Sequence, residues 1–127
     1  MVFSAVNMSG VSQLPPQVQE RIQRLQQLQN TMQQLLSQRQ RIEMEVAESD
    51  KALEVLKEVP GDAKVYKSVG AVLVEKERDK VVKELEERKE FLDMRAMVLQ
   101  KQEDKTKEKL TGLQETLQKE LGINPAA

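Results

Sequence analysis

Apolar residues return every seven positions along two stretches of this chain, and the two stretches are nearly equal in length. In the first, one line runs Val18, Leu25, Met32, Arg39, Val46, Leu53, and a second runs Arg21, Leu28, Leu35, Ile42, Ser49, Leu56. Nine of these twelve are apolar, far more than a mixed polar helix would place there. That spacing is the a/d stripe of a coiled coil. Ile22 and Leu36 widen it on one side, and Arg39 and Ser49 interrupt it. The pattern predicts a first helix over residues 15–59. Pro15-Pro16 opens it, because the missing N–H would have no helical partner in the first turn. Pro60 and Gly61 close it.

The second stretch predicts a helix over residues 79–121. Its lines are Val82, Lys89, Ala96, Glu103, Leu110, Leu117 and Leu85, Leu92, Leu99, Thr106, Leu113, Glu120, with eight of twelve apolar. Asp79 suits an N-cap, and Gly122 with Pro125 ends the run. The gap around Glu103 and Thr106 is the expected loose stretch. Glu84–Arg88, Glu103–Lys107 and Glu115–Lys119 are spaced as i,i+4 ion pairs. Each helix would be roughly 65 Å long at 1.5 Å per residue. Equal lengths and a short connector favour an antiparallel hairpin, which sets residues 11–22 beside residues 113–123 at its open end.

The connector changes character. Residues 64–76 are rich in β-branched side chains with Gly70 at the middle, and Pro60-Gly61-Asp62 is a turn signal. The fold class expected is therefore mainly α: a long antiparallel two-helix coiled coil with one β-hairpin at the connecting end. A lone two-stranded hairpin is marginal in water. Both its edges would expose unpaired backbone groups, which proteins normally cover. Pairing with hairpins of other chains resolves this, so Val65, Tyr66, Val69, Val72, Leu73 and Val74 are the expected oligomerisation residues. Tyr66 falls on the face opposite the valines, where a helix would receive it.

Composition narrows the chemistry. The 127 residues fit one domain, 1–127, with a flexible N-terminal tail over 1–14 and a C-terminal tail over 122–127. Met8 is an alternative start to Met1. Charged residues make up 32% and aromatic residues 2%, a balance suited to long helices rather than a globular core. A net charge of -1 gives no support to nucleic-acid binding. The chain has no Cys and no His, which removes thiolate chemistry, the commonest general base and the commonest metal ligand together. There is no glycine-rich phosphate loop, and the acids Glu43, Glu45, Glu48 and Asp50 read as a solvated face. Neither an enzyme nor a cofactor is expected. No apolar run is long enough to span a membrane, and the first residues lack the basic and apolar regions of a secretory signal. Eleven Gln within residues 13–40 are interleaved with the heptads and read as helix surface. Met32, Met44, Met94 and Met97 fall mid-helix, where core or flank packing is the expected role ahead of an adaptable binding stripe.

At Val65-Tyr66-Lys67-Ser68-Val69-Gly70-Ala71-Val72-Leu73-Val74, set between two heptad helices, the chain resembles the β-type subunits of the prefoldin family. Pro15-Pro16-Gln17-Val18-Gln19 and Asp79-Lys80 match the family's usual wording as well. The resemblance covers residues 14–121, and the hairpin motif is its specific part. α-type subunits carry two hairpins at the connector, and this chain has room for one. The tail before Leu14 is longer than the short starts common in archaeal β subunits. Two origins stay open: archaeal, where one β sequence is used four times, and eukaryotic, where the chain is similar to the sixth subunit. The absence of Cys leans archaeal.

The resemblance implies a cytoplasmic, ATP-independent holdase chaperone. It implies an α2β4 hexamer with an α-type subunit and further β subunits, its hairpins joined in a β-barrel base. Non-native polypeptides would be held at the distal coiled-coil tips and passed to a group II chaperonin. Tip residues would be Val11, Leu14, Val18 and Ile22 from the first helix, with Leu117, Leu121 and Ile123 from the second. The plainer reading of Val18, Leu117 and Leu121 is that they close the last turns of the coiled coil. A structural tether that binds no clients is the rival from another class.

Overall fold

The computed structural model describes Gly10 and residues 13–122. In chain order the elements are α1 (Pro16–Lys57), β1 (Lys64–Val69), β2 (Val72–Glu77) and α2 (Arg78–Glu120). The fold class is the one the heptads imply: two long helices joined by a single antiparallel hairpin. The chain forms two compact units. One joins α1 up to Leu36 with α2 from Lys101, and the other holds residues Ser37–Gln100.

Local chemistry sets the ends of each element. The Pro15 carbonyl accepts the amides of Val18 and Gln19 at 3.0 and 3.1 Å. Gln19 reaches back with its own amide, donating Nε2 to the Leu14 carbonyl at 2.7 Å. At the other end, Glu58 and Val59 donate to Val55 and Leu56, tightening the last turn before Pro60 blocks further helix. α2 begins one residue earlier than expected, so Asp79 lies within its first turn rather than at the cap. A carboxylate there still favours the positive end of the helix dipole. Beyond the last helical residue of α2, Gly122 turns the chain with a φ of 71°, open to glycine at little cost.

The hairpin is closed by Gly70-Ala71, with β1 and β2 paired from Lys64↔Glu77 to Val69↔Val72. Gly70 has φ 59° and Ala71 is not in the left-handed region, the φ pattern of a type II′ turn.

In the unit that holds the helix ends, the core is Val18, Ile22, Leu25 and Leu117, with Leu14, Leu110, Leu113 and Leu121 packed against it. The start of α1 thus lies against the end of α2, antiparallel. Glu103 and Thr106 are buried in the same unit rather than loose. The heptad phase is unbroken there, so both side chains still face the seam. Thr106 Oγ1 donates to the Gln102 carbonyl of its own helix at 2.8 Å, which makes burial of the hydroxyl tolerable. In the second unit Ile42, Leu92 and Leu99 are buried, as is Ser49. Arg78 Nε donates to the Leu56 carbonyl at 2.8 Å, tying the start of α2 to the end of α1.

Candidate functional site

The hairpin register sorts its side chains onto two faces, because paired residues share a side of the sheet. Val65, Lys67, Val69, Val72, Val74 and Lys76 lie on one face. Tyr66 and Leu73 lie on the other, with Lys64, Ser68, Glu75 and Glu77. The first face turns toward α2: Lys76 Nζ meets Glu84 Oε1 at 3.0 Å, and Lys67 Nζ meets Glu84 Oε2 at 3.3 Å. One carboxylate therefore holds both strands. The hydrogen bonds from Lys76 and then Lys67 lower the Glu84 pKa below the usual carboxylate value. This contact differs from the expected Glu84–Arg88 pair. Arg88 instead reaches Glu45 on α1 at 2.9 Å, and Lys89 reaches Asp50 at 2.6 Å.

Exposure on the valine face grows toward the turn. Val65 is half-buried, Val74 is 39% exposed, and the Val69–Val72 pair beside Gly70 is 54% and 61% exposed. Tyr66 corrects the expectation that it packs on a helix. It stands 65% exposed beside Leu73 at 68%, because the lysines on the opposite face take the helix-facing side. Both faces thus present apolar side chains, and the sheet has only two strands, so both outer edges lack a neighbouring strand among the described residues.

The tip residues divide. Val18, Ile22 and Leu117 lie buried against one another and Leu25. This packing supports the plainer reading of Val18 and Leu117, that they close the last turns of the helix pair, and Ile22 shares it. Leu14 and Leu121 lie half-buried at the edge of that cluster and keep accessible surface. Val11 and Ile123 lie outside the described residues. An ion pair between Arg21 and Glu120 flanks the cluster.

Several exposed apolar side chains escape the heptad reading. Phe91, Met94, Met97 and Val98 are all at least half exposed on α2, and so is Met44 on α1. Core or flank packing was expected of Met44, Met94 and Met97; they sit outside the a/d lines and face solvent. Met32 is half-buried on its a line. The signal was present in the 3–4 spacing of Phe91, Met94 and Val98, offset from the seam. Arg88 lies 5.7 Å from the Phe91 ring centroid, a cation–π contact. Among the described residues no acidic cluster is arranged to hold a metal ion, and no helix is long and apolar enough to cross a membrane.

Comparison with known proteins gives these surfaces a context. A family model described as prefoldin subunit matches residues 19–124. A prefoldin β subunit of Archaeoglobus fulgidus is 41% identical over 108 residues, covering 85% of this chain and 93% of the relative. One from Pyrobaculum neutrophilum is 39% identical over 112 residues, covering 88% and 89%. The crystal structure of the prefoldin beta subunit from Thermococcus strain KS-1 is similar with a TM-score of 0.76 and 39% identity, covering 87% of this chain and 96% of that one.

Proposed function

We propose, for a chain that belongs to the prefoldin β-subunit family, the role of a non-enzymatic holdase subunit in an α2β4 chaperone. In this reading the hairpins assemble the complex in the cytoplasm. The helix ends hold non-native polypeptides without ATP and release them to a group II chaperonin.

The observation that carries the assembly half is the exposed hairpin: Tyr66, Val69, Val72 and Leu73 each exceed half exposure on a sheet whose two edges are unpaired among the described residues. Burying such residues is worth roughly 1.5–3 kcal/mol for each large aliphatic or aromatic side chain. Several hairpins together would therefore hold a stable base. The client half is supported by Leu14 and Leu121, which rim a closed apolar cluster. Weak contacts of this kind gain from repetition across subunits, because linked sites act at high effective concentration.

The test is native mass measurement with and without an α-type subunit, paired with suppression of aggregation of a denatured protein. A defined hexamer that suppresses aggregation is expected. Deleting residues 1–14 and 122–127 should weaken suppression and leave assembly intact. A stable two-chain rod without effect on aggregation would replace this reading with the tether.

A further inference from the structure

Within residues Ser37–Gln100 the helices leave a groove of about 840 Å³ whose apolar lining is Leu53, Val82, Met94 and Met97. Its rim is acidic. Glu54 comes from α1, and Glu86, Glu90 and Asp93 follow one face of α2. The basic residues at the groove are largely committed elsewhere. Lys89 is paired with Asp50 at 2.6 Å, and Arg78 is bound to the Leu56 carbonyl and to Asp79. Lys57 also lines the groove, so five acids (Asp50, Glu54, Glu86, Glu90, Asp93) face three bases (Lys57, Arg78, Lys89). Glu54, Glu86 and Glu90 have no ion-pair partner among the described residues, so their charge is left facing the groove.

An apolar floor flanked by an excess of acids is complementary to one kind of chain: a segment with Lys or Arg beside apolar side chains. Met94 and Met97 suit such an occupant, being about 63% and 62% exposed and unbranched enough to fit varied shapes. We propose that this groove docks basic amphipathic segments of non-native polypeptides, as a second holding surface apart from the helix ends. The proposal rests on the holdase reading for the nature of the occupant. Charge complementarity supplies the selectivity and the approach rate, and the methionines supply contact area.

The test uses the full chain and two labelled peptides, one built of Leu and Lys, the other of Leu and Glu, followed by fluorescence anisotropy at low and high salt. The Leu/Lys peptide should bind more tightly, with an advantage that shrinks in salt. Glu86→Lys with Glu90→Lys should weaken it about tenfold at low salt, since each reversed charge replaces an attraction with a repulsion. Met94→Ser with Met97→Ser should weaken it at both salt concentrations. Equal binding of the two peptides, or unchanged binding by the charge-reversed chain, overturns the proposal. So does loss of binding when an α-type subunit is added, which would make a sister subunit the occupant. Aggregation suppression is measured in parallel. Unaltered peptide binding by the charge-reversed chain with suppression retained removes the groove alone. A wild-type chain that suppresses nothing removes the holdase reading.

Discussion

Leu117 and Leu121 are neighbours on one helix end, and substituting each separates the structural role from the client-holding one. Leu117 has no exposed surface and touches the buried Val18–Ile22–Leu25 cluster. Leu117→Ala removes three carbon atoms from contact. At about 0.8 kcal/mol per methylene, the transfer loss is about 2.5 kcal/mol. In a globular core the residual cavity raises such losses to about 2.7–5 kcal/mol. Here two helices enclose the site and water can fill the gap, so the low end applies, about 2.5–3 kcal/mol. With a urea slope of about 1–3 kcal/mol per molar, the midpoint should fall by roughly 1–3 M. Leu121→Ser alters a half-buried side chain and should cost about 1 kcal/mol.

The functional effects should run the other way. Leu117→Ala uncovers Val18 and Ile22, so capture of a denatured protein should persist or rise. Leu121→Ser removes accessible apolar surface and should weaken capture. The assay is urea unfolding followed by circular dichroism at fixed protomer concentration, because assembly makes apparent stability concentration-dependent. Aggregation suppression is measured on the same samples. An unchanged midpoint for Leu117→Ala, or equal destabilisation by both substitutions, would refute the division of the tip.

Three further outcomes are expected. Tyr66→Asp with Val72→Asp places one charge on each exposed face of the hairpin and should abolish hexamers in native mass spectra while helicity stays near wild type; intact hexamers would count against hairpin-mediated assembly. Glu84 has a folded pKa below its ordinary value, so its contribution is present above that ordinary value and is lost as pH falls through the lowered one. Amide exchange in residues 64–77 should therefore differ between wild type and Glu84→Gln at neutral pH and converge in acid, whereas a constant difference would refute the clasp. Gly70→Val forces a β-branched residue to φ 59° and should destabilise the hairpin by about 1–2 kcal/mol, seen as faster exchange of the Val69 and Val72 amides; unchanged exchange would contradict the turn geometry.

Periodicity carried much of the fold because a long helix pair repeats one physical rule. Position 25 is buried for the same reason as position 18, and the phase needs no distant information. The hairpin was legible from Val, Tyr and Gly70, whose preferences are local. What escaped depended on register. Lys67 and Lys76 converge on Glu84 only because Lys67 pairs with Val74 and Val65 with Lys76, which no single strand reveals. Tyr66 was misplaced for the same reason, since the face nearer α2 was not yet known. At the tips, position on a helix end does not state whether a neighbour covers the side chain. Ile22 lies off the a/d lines, yet the meeting of α1 and α2 buries it. Met94 and Met97 read as packing residues from their mid-helix position, although their offset from the seam points outward.

The polar residues of the seam show how a coiled coil can keep its phase while lowering its adhesion. Ser49, Glu103 and Thr106 occupy a/d positions and are buried, yet none contributes the apolar contact that such a position usually supplies. Apolar side chains there would tolerate slippage by a heptad, because Leu against Leu looks alike in either register; a polar layer distinguishes the registers at a cost in stability. Thr106→Leu tests this trade. The threonine hydroxyl is satisfied by its own helix, so its loss strands no partner on α1. Added apolar burial should raise stability by about 1–2 kcal/mol. The same substitution should loosen register, seen as doubled amide resonances for residues near Leu28 and Leu110. A lower urea midpoint would mean that position 106 lacks room for a larger side chain. A higher midpoint with single resonances would mean that register is held elsewhere, with the Arg21–Glu120 pair the first place to look.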